Sequence, residues 1–491
     1  MKKQSIWMGE LKNNYSKLNN DVEVDVLIIG GGITGLSTAY HLINKDLKVA
    51  LIEKNVIGSG VSSKTTAKLT YLQNLMYSKI EGEYNFEVAK KYLKSQKDAL
   101  NLVKKIINKN DIECNFTKQK SYLFATLKED VKNIKREKNL LENMGINVTE
   151  IKKIPINIHS YYGIRIDDSY YFHPIKYLNE LAKICANNDI KIYEKTKVLD
   201  FKIENEKYIC FTEEHKIITK KIVFACHYPF FTIPFLFPIK SHLERSYISA
   251  SILSNNKNVS GISSNRHTTS FRFYSDDVNN YLIYLKNSHS LANNYNVKEN
   301  YKNLYKDLDF LKLKPSYMWS NEDIITNDNM PYIGKIKENL YIATGYNTWG
   351  MTNGSLAGKI ISDIILNKEN EYISLFNPLR QTSILKTFYN VYSSAKPFIQ
   401  NKIVKNKDFY SKNVIFTKRN GKNIGIYIDN LGKEHIVYNL CPHLKCSLIF
   451  NEEELTWDCP CHSSRFDIDG YVIKGPSNYS ITYKENKKSE E

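Results

Sequence analysis

The sequence lacks any apolar run of the ~20 residues that a membrane-spanning helix requires. Its most apolar segment, residues 228–239, is shorter and contains three prolines, so we interpret it as a buried connection. No apolar stretch follows the first residues, which predicts that the chain has no secretory signal peptide. Arginine is scarce and no stripe of basic and aromatic residues occurs, which argues against a nucleic-acid-binding protein.

Cysteine is also uncommon, and its distribution is uneven. Four of the eight cysteines lie within residues 441–461, and the others are scattered: Cys114, Cys185, Cys210 and Cys226. Scattered cysteines indicate reduced, buried thiols. We therefore expect a cytoplasmic protein without a transmembrane segment. Peripheral contact with a membrane is compatible with the sequence.

The chain has ample length and an excess of lysine. Its 491 residues predict two or three domains, each with a core of its own. An apolar fraction of 42% and a charged fraction of 25% are typical of a globular protein. The net formal charge of +17 comes from lysines spread along the whole sequence, so we expect at most weak attraction to acidic partners.

The clustered cysteines stand beside two histidines in a pattern that predicts a metal centre. Cys441 and His443 form a C-x-H pair, and Cys459 and His462 form a C-x-x-H pair, with 15 residues between the pairs. In a Rieske [2Fe–2S] centre, two thiolates hold one iron and two imidazoles hold the other. Zinc is the alternative, although a zinc finger groups Cys with Cys and His with His. The pattern favours a Rieske cluster bound by these four residues.

A dinucleotide-binding pattern occupies the other end of the chain. The apolar run 24–29 predicts a buried strand, residues 30–35 read G-x-G-x-x-G, and residues 36–44 have the pattern of a helix. A second predicted strand, 48–52, ends at Glu53, which can accept hydrogen bonds from a ribose. The position of the motif near the N-terminus, with no second intact copy, favours FAD over NAD.

A late glycine-rich segment, residues 345–354, precedes a predicted helix at 355–366. Its backbone N–H groups and the helix N-terminus can face the flavin pyrimidine, where negative charge collects on reduction. The alternative is a plain turn before a surface helix.

With these motifs, the sequence resembles the FAD-dependent oxidoreductases of the D-amino-acid oxidase and glycine oxidase superfamily, in the bacterial branch that has a C-terminal Rieske domain. The segments that carry the resemblance are 58–60, 64–70, 173–178, 225–230, 319–323, 331–334 and 349–354. The resemblance implies an α/β FAD-binding domain of the Rossmann-like, glutathione-reductase type, interleaved with an α+β substrate domain and followed by an all-β Rieske domain. The implied ranges are an N-terminal segment at 1–20, the FAD domain at 21–82, 165–235 and 325–370, the substrate domain at 83–164 and 236–324, a helical tether at 371–409 and the Rieske domain at 410–485.

The resemblance also assigns residues. The implied FAD contacts are Gly30, Gly32, Ile33, Thr34, Gly35, Glu53, Lys54, Ser59, Gly60, Thr66, Ala67, Lys68, Ala225, Gly350, Met351 and Thr352. Cys446 and Cys461 match a disulfide that ties the two cluster loops together. Ser464 matches a serine that donates a hydrogen bond to a bridging sulfide, whereas Lys445 replaces a usual glycine.

The implied reaction is oxidation of the C–N bond of a small amine or amino acid by hydride transfer to FAD. Candidate catalytic residues are Arg272, Tyr274 and Trp349; Arg272 could bind a carboxylate with two parallel hydrogen bonds, or it could be a salt-bridged surface residue. We expect a dehydrogenase that passes electrons through the cluster to an external protein or quinone. An O₂-using oxidase with a structural or redox-sensing cluster and a non-enzymatic, redox-regulated electron carrier are the alternatives. A Rieske oxygenase is disfavoured because no set of two histidines and a carboxylate is apparent.

Overall fold

The computed structural model describes residues 1–228, 240–265, 268–290, 297–382, 413–443, 445–461 and 464–483. The chain divides into two compact units. Unit 1 consists of Met1–His227, Glu244–Ser288 and Lys302–Thr382, and unit 2 consists of the described parts of Tyr228–Leu243, His289–Tyr301 and Ser383–Glu491. Most of the predicted tether and of the apolar connection at 228–239 lies outside the described residues.

The described residues form twenty-four strands and seven α-helices. The strands before residue 382 are β1 (Val22–Ile29), β2 (Val49–Ile52), β3 (Lys68–Leu69), β4 (Thr117–Ala125), β5 (Thr149–Ile151), β6 (Tyr162–Tyr171), β7 (Lys191–Tyr193), β8 (Asp200–Glu204), β9 (Lys207–Phe211), β10 (Lys216–Phe224), β11 (Ser241–Leu253), β12 (Val259–Ser263), β13 (Thr269–Ser275), β14 (Asn280–Ser290), β15 (Pro315–Thr326), β16 (Tyr332–Lys337) and β17 (Leu340–Thr344). The later strands are β18 (Val414–Arg419), β19 (Lys422–Ile428), β20 (Glu434–Tyr438), β21 (Ile449–Asn451), β22 (Thr456–Asp458), β23 (Arg465–Phe466) and β24 (Val472–Lys474). The helices are α1 (Ile33–His41), α2 (Met76–Glu83), α3 (Phe86–Lys109), α4 (Val131–Asn143), α5 (Pro174–Ala186), α6 (Val297–Phe310) and α7 (Gly350–Ile365). Among the helices that the structure describes, none is both long enough and apolar enough to span a bilayer.

An eight-stranded sheet carries the dinucleotide motif. Its main path is β16-β17-β10-β1-β2-β7, in which β1 pairs in parallel with both β10 and β2. The continuous apolar run of β1 fits a central strand of a parallel sheet, which is covered on both faces. Helix α1 follows the glycine turn, as expected, but it begins at Ile33 and not at the predicted residue 36. This sheet confirms the predicted α/β FAD-binding fold.

A nine-stranded sheet, β15-β11-β14-β13-β12-β4-β6-β3 with β5 paired to β6, forms the second layer of unit 1. Its edge strand β3 pairs antiparallel with β6, so that Lys68 lies opposite Tyr171. The predicted domain ranges remain a proposal. Strand β3 lies in the range proposed for the FAD domain, but it is hydrogen-bonded into this second sheet. The pairing of β3 with β6 brings the segment after the glycine motif to the sheet of the predicted substrate domain.

The N-terminal segment is part of unit 1, which the sequence did not predict. Lys2 exchanges backbone hydrogen bonds with β15, where its N–H donates to Ser316 O at 2.8 Å. Trp7 lies in a short 3₁₀ helix, Ile6–Glu10, and its side chain is fully buried. The buried carboxylate of Glu194 accepts hydrogen bonds from backbone N–H groups of the segment at 2.9 and 3.0 Å. These contacts hold Trp7 against the core.

Unit 2 contains two small antiparallel sheets, β18-β19-β20 and β21-β22-β23-β24. Asn420 and Gly421 have φ of 50° and 73° and connect β18 to β19, as predicted for a tight hairpin turn. Trp457 is fully buried at the centre of the unit, and a Cβ at Gly425 would lie 2.6 Å from its ring. The described part therefore has the predicted all-β core.

Candidate cofactor and substrate sites

The glycine loop packs closely against neighbouring backbone at the carboxyl end of β1. Gly30 has φ of +116°, and a Cβ there would lie 2.6 Å from the carbonyl oxygen of Ala225. A Cβ at Gly35 would lie 1.9 Å from the carbonyl oxygen of Gly30. Gly32 caps α1 without a side-chain hydrogen bond, although the N–H of Ile33 donates to Ser62 Oγ at 3.3 Å. A helix N-terminus behind such a cradle fits the pyrophosphate of FAD.

Glu53 lies at the end of β2 beside this loop. Its Oε2 accepts a hydrogen bond from Gly31 N–H at 2.9 Å, and its Oε1 accepts one from Asn55 N–H at the same distance. Partial burial raises the pKa of the carboxyl. Glu53 therefore holds the glycine loop in place, and it also lies where a ribose acceptor is expected. The neighbouring Lys54, another predicted FAD contact, is exposed.

Replacing Glu53 by alanine is expected to weaken FAD binding by about 1–3 kcal/mol, roughly five- to 150-fold in the dissociation constant. The change removes the ribose acceptor and leaves Gly31 N–H without its present partner. The constant is measured by titrating apoprotein with FAD and following flavin fluorescence. Glu53→Gln keeps one acceptor oxygen and should lose less affinity. An unchanged dissociation constant in Glu53→Ala would remove Glu53 from the FAD site.

The late glycine-rich segment is helical over its second half. Helix α7 begins at Gly350, five residues before the predicted start, so that Gly350, Met351 and Thr352 form its first turn. The earlier start places helical N–H groups at the three positions predicted to contact FAD. Tyr346 precedes the helix, and its hydroxyl lies 2.7 Å from Thr34 Oγ1 on α1.

A buried network of amide side chains holds the first turn of α7 and was not predicted. Gln73 Nε2 donates to Gln96 Oε1 at 2.9 Å and to Thr352 Oγ1 at 3.1 Å. Gln96 Nε2 donates in turn to Asn353 Oδ1 at 2.8 Å. Tyr92 completes the network by donating to Gln73 Oε1. Single amides in a sequence carry no signal for such a network, because its members lie on α3, on α7 and in the loop after β3.

The segment around Ala67 approaches the second sheet. Ala67 is fully buried with φ of 54°, and its carbonyl oxygen accepts a hydrogen bond from Arg272 Nη1 at 2.8 Å. The next residue, Lys68, places Nζ 2.6 Å from Ser270 Oγ and 5.7 Å from the ring centroid of Trp349. The structure therefore brings the candidate residues Lys68, Arg272 and Trp349 to one region. By contrast, the contacts of Ser59 and Gly60 among the described residues are local: Ser59 Oγ donates to a carbonyl three residues earlier, and the carbonyl oxygen of Gly60 accepts from Ser63 Oγ.

Arg272 is fully buried inside an aromatic cage. The centre of its guanidinium lies 4.7 Å from the ring centroid of Tyr171 and 5.2 Å from those of Trp7 and Tyr274. Its Nε and Nη2 have no hydrogen-bond partner among the described residues. Burial lowers the pKa of Arg272 to about 10. The alternative of a surface arginine is therefore wrong, and the buried N–H groups at Nε and Nη2 lack the acceptor that buried donors ordinarily have.

Trp7 and Tyr171 were missed as members of this region. Trp7 Nε1 donates to the carbonyl oxygen of Thr65 at 2.8 Å, which fixes its ring beside Ala67 and Arg272. The only available signal was a tryptophan within a polar N-terminal stretch. The predicted contact Thr66 lies between these anchored residues and is partly exposed.

Cysteines of the two cluster loops of unit 2 are largely buried: Cys441, Cys446 and Cys459 are buried and Cys461 is partly exposed. Cys441 N–H donates to the carbonyl oxygen of Cys446 at 2.8 Å, and Cys459 N–H donates to that of Ser464 at 2.8 Å. A disulfide joins Cys446 to Cys461, the pair that the resemblance implies. Cys441 and Cys459 take no part in this disulfide, as the predicted ligand set requires.

The histidine ligands can be described in part. Burial lowers the pKa of His443, which favours the neutral imidazole that binds a metal. The fourth predicted ligand, His462, lies outside the described residues. Ser464 Oγ accepts a hydrogen bond from Ser477 N–H at 2.9 Å, so its own hydrogen remains to be donated, as expected toward a sulfide. Lys445 has φ of 57°, a left-handed conformation that explains why glycine is usual there.

Known proteins resemble both units. Residues 25–364 match the family described as FAD dependent oxidoreductase, and residues 400–484 match the family described as Rieske [2Fe-2S] domain. Over 479 residues the chain is 30% identical to a protein of Bacillus subtilis (strain 168) named as a Rieske 2Fe-2S iron-sulfur protein, YhfW, and 94% of each chain is covered. Gamma-glutamylputrescine oxidoreductase of Escherichia coli (strain K12) is 23% identical over 380 residues, which cover 74% of this chain and 88% of that protein.

Among solved structures, glycine oxidase from Geobacillus kaustophilus has a similar fold. The TM-score is 0.62 at 18% sequence identity, and the match covers 74% of this chain and 100% of that chain. These matches confirm the predicted fold class and the two predicted cofactors, FAD and a Rieske [2Fe–2S] cluster.

Proposed function

We propose that this chain, which belongs to the FAD dependent oxidoreductase family and carries a Rieske [2Fe-2S] domain, is a dehydrogenase for a small amine or amino acid. The observation that carries the proposal is the presence of both redox modules in one chain. When bound, FAD takes up two electrons with a hydride, and the cluster carries electrons one at a time. The cluster provides a route by which electrons can reach an acceptor other than O₂, which favours a dehydrogenase over an oxidase.

The proposed substrate loses a hydride from carbon and a proton from nitrogen and becomes an imine, and an external acceptor finally takes up both electrons. Arg272 is proposed to bind the carboxylate of an amino-acid substrate, because its unpartnered N–H groups are buried. Tyr274 and Trp349 are proposed to flank the substrate, since Tyr274 borders the guanidinium and Trp349 borders Lys68. The names of the relatives support both substrate classes, because they include an amino acid, glycine, and an amine, gamma-glutamylputrescine.

The direct test is to mix the oxidised holoenzyme anaerobically with a panel of amines and amino acids. Absorbance reports flavin reduction, and EPR of samples frozen over time reports reduction of the cluster. We expect flavin bleaching followed by the signal of the reduced cluster. Bleaching without cluster reduction would favour the oxidase, and the absence of bleaching by any compound would favour the electron carrier.

The electron path is tested with protein that lacks only the cluster, such as Cys441→Ser. Substrate should reduce its flavin at the wild-type rate, because Cys441 belongs to unit 2 and the FAD motifs to unit 1. Reoxidation by a one-electron acceptor should be much slower. If both half-reactions keep their rates, the cluster is not on the path and the oxidase becomes the better proposal.

The proposed acceptor is a protein or a quinone, and the proposed compartment is the cytoplasm. Outside the cluster region, four cysteines are not disulfide-bonded, and all but the last are buried: Cys114, Cys185, Cys210 and Cys226. Buried free thiols are compatible with a reducing compartment.

A further inference from the structure

Two basic side chains meet in unit 1 without an acidic partner. Arg272 follows Ser270 by two residues on β13, and Lys68 on β3 contacts Ser270. Side chains two residues apart on a strand share one face and are about 6.6 Å apart. The guanidinium of Arg272 lies near Lys68, and the phenol rings of Tyr171 and Tyr274 border that guanidinium. Within the described residues, no carboxylate compensates either cation.

Lys68 has two hydrogen-bond partners in the described part of the chain. Nζ lies 2.6 Å from Ser270 Oγ and 3.4 Å from the carbonyl oxygen of Gly261. A neutral amine has two N–H donors, and an ammonium group has three. The third donor of the ammonium form therefore needs an acceptor beyond these two contacts. Arg272 has the same need, because its Nε and Nη2 are buried and unpartnered in the described part of the chain.

We propose that Lys68 and Arg272 together bind a substrate that carries two anionic groups. One group binds at Nε and Nη2 of Arg272, and the other binds Lys68, which takes up a proton from solvent as the ligand enters. This inference rests on the proposed function and narrows its substrate to a small amine or amino acid with two carboxylates. Lys68, assigned above to FAD from the resemblance, is thereby assigned to the substrate side.

Electrostatics explains why a second carboxylate adds affinity. Two like charges in a poorly solvated site repel each other, so a monoanion bound at Arg272 leaves Lys68 in its neutral form, and only a second anionic group stabilises the ammonium form of Lys68 and gains its charge–charge attraction. Burial and the charge of Arg272 lower the pKa of Lys68 to about 7, so the free protein can keep Lys68 neutral. The elements around Lys68 present Arg272 from β13, Tyr171 from β6 and the ring of Trp349 from α7. None of these side chains is a carboxylate, so the negative charge that stabilises the ammonium form of Lys68 is proposed to come from the ligand.

The test compares succinate with succinamate, which has the same length but only one carboxylate. Each is titrated into oxidised holoenzyme, and binding is followed by the change in flavin absorbance, with acetate as a shorter monoanion. At pH 6.5 we expect succinate to bind at least tenfold more tightly than succinamate. Above pH 7 its affinity should fall by up to tenfold per pH unit, because a neutral Lys68 must first be protonated. Succinamate should show no such decline near pH 7.

Three variants assign the effect to Lys68. Lys68→Met should remove the advantage of succinate and keep the affinity for succinamate at Arg272. Lys68→Arg should keep the advantage but lose the pH dependence near 7, because arginine stays charged. The matched control is Lys104→Met: Lys104 Nζ lies 3.2 Å from Tyr170 OH, and Tyr170 points to the opposite face of β6 from Tyr171. This control should bind both probes like the wild type.

Equal affinities for succinate and succinamate in the wild type would overturn the proposal, as would an unchanged preference in Lys68→Met that retains FAD. A changed flavin spectrum in ligand-free Lys68→Met, with ligand affinities unchanged, would return Lys68 to the FAD site and also overturn it. Since these titrations involve no turnover and no reduction of the cluster, their outcome is independent of whether electrons leave through the cluster. Failure of the proposed function would appear only in the half-reaction experiments.

Discussion

Replacing Cys441 or Cys459 by serine is expected to abolish the EPR signal of the reduced [2Fe–2S] cluster, while the protein keeps its FAD. Both thiols are nearly buried, and their backbone N–H groups hold the two loops closed. A serine hydroxyl stays protonated near neutral pH and is a poor substitute for the thiolate that binds iron. His443→Ala should have the same effect, and His462→Ala is predicted to do so from the motif alone.

The matched control is Cys210→Ser, which changes a buried free cysteine of β9 in unit 1. It should retain both the FAD absorbance and the full EPR signal. Iron content, measured with the EPR signal, distinguishes loss of the cluster from a change in its spectrum. A complete signal from Cys441→Ser would remove that cysteine from the ligand set. Stoichiometric zinc in place of iron in the anaerobically purified wild type would contradict the Rieske interpretation itself.

Replacing Gly35 by alanine is expected to yield protein without bound FAD and to lower the free energy of unfolding of unit 1 by at least about 3 kcal/mol, the upper part of the range for an overpacked core. The added Cβ would lie 1.9 Å from the carbonyl oxygen of Gly30, a backbone atom that cannot rotate away. The first turn of α1 would have to move off β1, and the cradle for the pyrophosphate would open. Flavin absorbance of the purified protein and denaturant unfolding measure the two effects.

Gly82→Ala is the matched control, because a Cβ at Gly82 in α2 would meet nothing within 4 Å. That change should leave FAD content unaltered and, since alanine favours a helix, should be neutral or stabilise by up to about 1 kcal/mol. Wild-type FAD content and stability in Gly35→Ala would show that α1 can shift without loss of the site, and that the close approach of Gly35 to Gly30 is not essential.

The sequence by itself determined the features that depend on neighbours along the chain. The β1–glycine–α1 unit was predictable because apolar runs, glycines and helical periodicity are local patterns, and the structure confirms it with a helix that begins three residues early. The N-terminal part of α7 was misjudged because glycines at 350 and 354 weaken a helical pattern. Packing explains the second glycine: a Cβ at Gly354 would lie 2.6 Å from Ile33 on α1.

Only the tertiary structure decided which distant side chains share a site. Arg272 could have been a surface residue by sequence, and its burial among Trp7, Tyr171 and Tyr274 follows from how the N-terminal segment, β6 and β13 meet. The pairing of β3 with the second sheet likewise brings Lys68 into contact with Ser270, which lies 202 residues later in the chain. Glycine turns and cysteine–histidine pairs are short-range requirements that a sequence displays. The charge and pKa of a buried group depend on neighbours that the sequence keeps far apart, so only the fold reveals them.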